Sequence, residues 1–67
     1  MGAVKLEKMG ESVVDVSFEG ESAPLETVLE GVDTEGYEVT VNGEEPVEDQ
    51  RVNEGDVVTL VPEIAGG

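Results

Sequence analysis

The chain reads as a small α+β domain, a mixed sheet of about four to five strands packed on one helix. Three observations lead there. Apolar and polar residues alternate at period two near the N-terminus and again after residue 36, one stretch between them switches to helical spacing, and the most apolar run, Val57-Val58-Thr59-Leu60-Val61, comes last.

Val4 and Leu6 alternate with Lys5 and Glu7, which predicts a first strand with one covered face. A turn at Gly10 follows, and Val14, Val16 and Phe18 then alternate with Asp15, Ser17 and Glu19 as a second strand, close enough to pair with the first as a hairpin. Beyond Gly20, the residues Leu25, Val28, Leu29 and Val32 fall at i, i+3, i+4 and i+7, the spacing of one apolar helix face. Leu29 is placed at the centre of that stripe. Ser22 or Ala23 precedes the helix, Pro24 suits its first turn because the missing N–H has no intrahelical partner there, and Gly31 or Gly36 can end it.

Tyr37, Val39 and Val41 alternate with Glu38 and Thr40 in a third strand, and Asn42-Gly43 signals a tight turn that needs positive φ. Pro46 and the polar run Glu48-Asp49-Gln50 interrupt pairing, with room for a small extra strand around Val47. Asn53-Glu54-Gly55-Asp56 makes another turn before the last strand, Val57 to Val61. That strand is apolar on both faces except at Thr59, as expected of a strand covered on both sides or lying centrally in a sheet. Phe18 and Tyr37 are the only aromatics and are assigned to the core. Residues 1–62 are expected to form the domain and 63–67 a flexible tail ending in Gly66-Gly67.

A chain of 67 residues with neither Cys nor His has no disulfide or zinc site to support it, so stability rests on one compact core. Seventeen acidic residues against Lys5, Lys8 and Arg51 give a formal net charge of −14. Nucleic acid and anionic membrane are therefore poor partners, because both bind through clustered cations, and a basic protein surface is the better match. The same acidity also serves solubility, for example in a salt-rich cytoplasm. No apolar run reaches the roughly 20 residues that span a bilayer, and the N-terminus lacks a signal-peptide pattern, so the protein is expected to be cytoplasmic and monomeric.

Catalysis by the chain itself is not expected. The His- and Cys-based nucleophile pairs are missing, and Ser12, Ser17 and Ser22 read as turn, strand and cap residues. Glu44-Glu45 and Glu48-Asp49 do not have the spacing of a calcium loop and read as solvated loop, so no metal site is assigned. The informative chemistry lies in Gly66-Gly67. A carboxylate on glycine has no Cβ beside the carbonyl carbon, and a second glycine lets the backbone thread a narrow cleft.

The order strand–strand–helix–strand–turn–strand, with Val41-Asn42-Gly43-Glu44-Glu45-Pro46-Val47, the turn Asn53-Glu54-Gly55-Asp56, the strand Val57-Val58-Thr59-Leu60-Val61 and Gly66-Gly67, resembles the prokaryotic branch of the ubiquitin-like β-grasp family. That branch includes the sulfur carriers of thiamine, molybdopterin and tRNA thiolation and the small archaeal modifier proteins. The resemblance implies a partner, a ubiquitin-activating-type enzyme that uses ATP and Mg to adenylate the Gly67 carboxylate, with Gly66 giving clearance and no cofactor bound to the chain itself. Sulfide would then give a thiocarboxylate for a sulfur-acceptor enzyme, whereas a Cys and then a target-protein Lys would give a thioester and an isopeptide bond. The chain departs from the family in its acidity and in a compressed stretch between helix and last strand. Only Lys5 and Lys8 are present for chain building, so long branched chains are not expected.

Val57, Val61 and Ile64 could all belong to the core, but if Val57 and Val61 face away from the helix they leave an apolar patch, and on that reading the three are assigned to partner binding. Three functions remain open. A sulfur carrier predicts a mass gain of about 16 Da at the C-terminus. A protein modifier predicts adducts on target lysines. A non-covalent β-grasp interaction module, similar to the domains of threonyl-synthetase type, predicts that removing Gly66-Gly67 changes nothing.

Overall fold

The computed structural model describes residues 1–9, 11 and 13–63. In chain order these form β1 (Gly2–Lys8), β2 (Val13–Phe18), β3 (Ser22–Pro24), α1 (Leu25–Leu29), β4 (Tyr37–Val41), β5 (Arg51–Asn53) and β6 (Val57–Pro62). The architecture is α+β: a mixed four-stranded sheet of order β2-β1-β6-β4, a two-stranded sheet of β3 and β5, and one short helix.

The sheet follows the alternation in the sequence. β1 and β2 pair antiparallel, with Val4 opposite Val16 and Leu6 opposite Val14 on the covered face, and Lys5 opposite Asp15 on the open one. β6 lies in the middle, parallel to β1 and antiparallel to β4. Both of its backbone edges are therefore paired, and Val58 and Leu60 are wholly buried, as the apolar run required. Their neighbours in the core are Val4, Leu6, Phe18, Ala23, Leu25, Val28, Val41 and Val52. Gly2 is fixed by close approach: a Cβ there would stand 2.5 Å from the Phe18 ring. Among the described residues no polar or charged side chain is buried.

Asn42-Gly43 makes the expected two-residue turn, with φ of 53° and 83°. Val41 and Glu44 exchange both backbone hydrogen bonds across it, at 2.8 and 3.0 Å.

Three expectations need correction. The helix has five residues, not the two turns implied by Leu25, Val28, Leu29 and Val32. Glu30 leaves helical dihedrals and Gly31 turns to φ 79°, so only Leu25 and Val28 are buried, while Leu29 and Val32 pack partly against the core. Leu29 is thus the last helical residue and not the centre of a buried stripe. A five-residue helix is only about 7.5 Å long, against about 20 Å for a six-residue strand, so it covers only part of the sheet. That accounts for Val14, which points to the covered face yet remains 50% exposed.

Second, Ser22 is not a helix cap. It belongs to β3, and the helix cap position falls on Pro24, which offers no side-chain bond. The first helical N–H, that of Leu25, donates instead to the carbonyl of Gln50 at 2.9 Å. Third, the small extra strand forms at Arg51–Asn53 and not around Val47, pairing antiparallel with β3. Pro46 lacks a donor and Asp49 takes φ 63°, so residues 46–50 cannot run extended, whereas Val52 enters the core with no exposure at all.

Candidate functional site

The face of the sheet away from α1 carries the predicted partner residues. Because β6 alternates, burying Val58 and Leu60 turns Val57, Thr59 and Val61 outward together, and each is half-buried. Register sets their neighbours. On the β1 side Lys5 lies beside Val57 and Glu7 beside Thr59, and on the β4 side Thr40 lies beside Thr59 and Glu38 beside Val61. The result is two valines, separated by Thr59, on a strip one strand wide between polar flanks. Val57 and Val61 lie on one face, away from the core, while Ile64, Gly66 and Gly67 lie outside the described residues.

Two turns are locked together at one end of this face. The Val57 N–H donates to Asn42 Oδ1 at 3.0 Å, and Asn42 Nδ2 donates to Asp56 Oδ1 at 3.2 Å. The other oxygen of Asp56 accepts from the Asn53 N–H at 2.8 Å, closing the turn before β6. Asn42 therefore serves twice, tolerating the left-handed backbone of its own turn and bridging to the next. The two turn signals were visible in the sequence, but their contact was not, since nothing local places residue 42 beside residue 56.

At the opposite end, where the chain leaves β6, the Glu63 N–H donates to the Gly36 carbonyl at 2.8 Å and Pro62 lies opposite Tyr37. A cation stands near this exit: Lys8, paired in register with Leu60, places Nζ 4.7 Å from the Tyr37 ring centroid and 3.5 Å from a Glu11 oxygen. Partial desolvation pulls its ammonium pKa down, but the Glu11 carboxylate and Tyr37 outweigh this and hold it above the ordinary lysine value. Lys5 pairs with Asp15 at 3.3 Å, an exposed contact worth little to stability. Arg51 donates to the Ser22 hydroxyl at 3.1 Å. The cations are thus engaged locally, and most carboxylates have no cationic partner among the described residues.

One further concavity escaped the sequence reading. α1 and residues 46–51 enclose a groove lined in part by Leu29 and Val47. The sequence offers a hint in a lone Val47 between Pro46 and a polar run, although that pattern also leaves room for a small strand. No described helix is long and apolar enough to cross a membrane. The chain matches no protein-family model, no curated protein and no solved structure, so the reading of this site rests on its own residues.

Proposed function

We propose that the chain is a ubiquitin-like β-grasp protein whose Gly67 carboxylate is activated by an adenylating enzyme of ubiquitin-activating type. The observation that carries this reading is Gly66-Gly67 four residues beyond Pro62, the end of the central strand β6. A side-chain-free carboxylate on a segment that follows the sheet directly is suited to a narrow active-site cleft. The β2-β1-β6-β4 order, with β1 and β6 parallel and one helix on a single face, is compatible with the β-grasp.

In the proposed reaction the Gly67 carboxylate attacks the α-phosphate of ATP, pyrophosphate leaves, and a mixed anhydride with AMP results. Sulfide then displaces AMP to give a thiocarboxylate, which makes the protein a sulfur carrier. Alternatively a Cys thiolate displaces AMP to give a thioester, and a Lys amine of a target takes the acyl group as an isopeptide, which makes it a protein modifier. The chain supplies the carboxylate and a docking surface, and the chemistry is performed by the partner. Val57 and Val61, with Thr59 between them, form the least polar part of that surface, and the charge of −14 complements a basic partner face.

The test is the intact mass of protein isolated from its own host, followed by incubation with ATP and the adenylating enzyme. A mass ending at Gly67, with a gain of about 16 Da or an adduct on target lysines, supports the reading and separates its two branches. A chain that continues past Gly67 without processing, or one never adenylated, refutes it and leaves a non-covalent interaction module.

A further inference from the structure

The groove between α1 and residues 46–51 has a volume of about 570 Å3. Leu25 and Leu29 line it on the helix side, and Pro46 and Val47 on the other. Val47 is 69% exposed and contributes nothing to the core, yet its backbone is held firmly. The Gln50 N–H donates to the Val47 carbonyl at 3.1 Å, and the Val47 N–H donates to Gln50 Oε1 at 3.1 Å. Gln50 is anchored in turn, its carbonyl by the Leu25 N–H at 2.9 Å and its amide nitrogen by the Arg51 carbonyl at 2.9 Å. The turn also places a non-glycine residue, Asp49, at φ 63°. The fold thus holds the Val47 backbone so that an apolar side chain faces water on the groove that the half-buried Leu29 also lines.

Charge distinguishes among occupants. Glu26, Glu48 and Asp49 stand on the groove against a single cation, Arg51, whose guanidinium is turned to the Ser22 hydroxyl. A second copy of the chain would bring another net charge of −14 to an acidic rim, and a phosphate-bearing ligand would meet the same repulsion. A segment with Lys or Arg around an apolar residue meets attraction at the rim and apolar surface within. We propose that this groove docks an extended segment of a partner protein carrying one or two aliphatic side chains flanked by Lys or Arg. Its residues are distinct from Val57, Thr59 and Val61, so occupation of the groove leaves the open sheet face free. The inference does not depend on activation of Gly67.

The test is an NMR titration of the 15N-labelled full chain with three capped octapeptides. One alternates Lys and Gly around a central Leu-Leu, one replaces its Lys by Glu, and one replaces Leu-Leu by Ala-Ala. The basic Leu-Leu peptide is expected to shift the amides of Leu29, Val47 and Gln50 saturably and more strongly at low salt. Val47→Ala should weaken it by about fivefold to tenfold, with the unfolding midpoint unchanged because Val47 lies outside the core. Glu48→Lys should weaken it similarly. Absence of shifts, equal binding of the Glu peptide, shifts centred on Val57 and Val61, or indifference to Val47→Ala would each overturn the proposal. So would concentration-dependent shifts without peptide, which would assign the groove to self-association.

Discussion

Leu60 and Leu29 are the same side chain in different surroundings, and truncating each to Ala removes the same three carbons. Leu60 is wholly buried in the central strand, between β1 and β4. Removing three carbons there forfeits about 2.4 kcal/mol of transfer free energy at roughly 0.8 kcal/mol per carbon. Neighbours paired on both sides cannot close in fully, and about 40 Å3 of remaining void at 24 cal/mol per Å3 adds about 1 kcal/mol. Leu60→Ala should therefore cost about 3.5 kcal/mol. Leu29 ends a five-residue helix, is partly exposed and borders an open groove that water can enter. Half the transfer term and no sealed cavity give a cost of about 1 kcal/mol. A domain of this size holds only about 3 to 10 kcal/mol in all. Leu60→Ala should thus remove between about a third and all of that stability, and Leu29→Ala only about a tenth to a third. Urea titration followed by far-UV circular dichroism, in 0.5 M NaCl so that both variants can be measured, reads the two costs directly. Equal costs, or a greater cost at Leu29, would refute the placement of the helix end and of the core.

Three further outcomes are expected. Deleting Gly66-Gly67 should leave the thermal midpoint within about 2 °C, since among the described residues the core is formed between Val4 and Leu60, and should abolish ATP-dependent activation; an activated truncated chain would sink the proposed function. Asn42→Gly keeps the left-handed turn but loses the bonds to Val57 and Asp56, and should cost about 1 to 2 kcal/mol, with Asn42→Ala costing about 1 kcal/mol more through backbone strain; identical stabilities in urea would show that the φ of 53° carries no penalty. Raising NaCl from low to moderate concentration should raise the melting temperature by screening a charge of −14, and weaken binding to the activating enzyme; affinity that holds steady while stability climbs would assign the acidity to solubility alone.

Local patterns in the sequence determined β1, β2, β4 and β6, because period-two alternation encodes which side of a strand is covered whatever the strand pairs with. They also determined the Asn42-Gly43 turn, whose positive φ values are requirements of adjacent residues. The run Val57 to Val61, apolar except at Thr59, left a central position and cover on both faces equally open, and the structure takes the first, since β6 lies between β1 and β4 with one face only half-buried. Which face of β6 turned outward was not legible, because Val57 and Val61 are as apolar as Val58 and Leu60. Tertiary structure decided the rest. Lys5 and Val57 become parallel neighbours across fifty-one intervening residues, and no local signal specifies that pairing. Helical spacing persisted to Val32, but the helix stops at Leu29, where the turn at Gly31 redirects the chain toward β4. Val52 and not Val47 joined the core because Pro46 and Asp49 keep residues 46–50 from running extended, while Arg51–Asn53 pairs with β3, a segment distant in sequence. The clasp between Asn42 and Asp56 and the groove beside Leu29 arise in the same way, from segments distant in sequence that approach only once the sheet has closed.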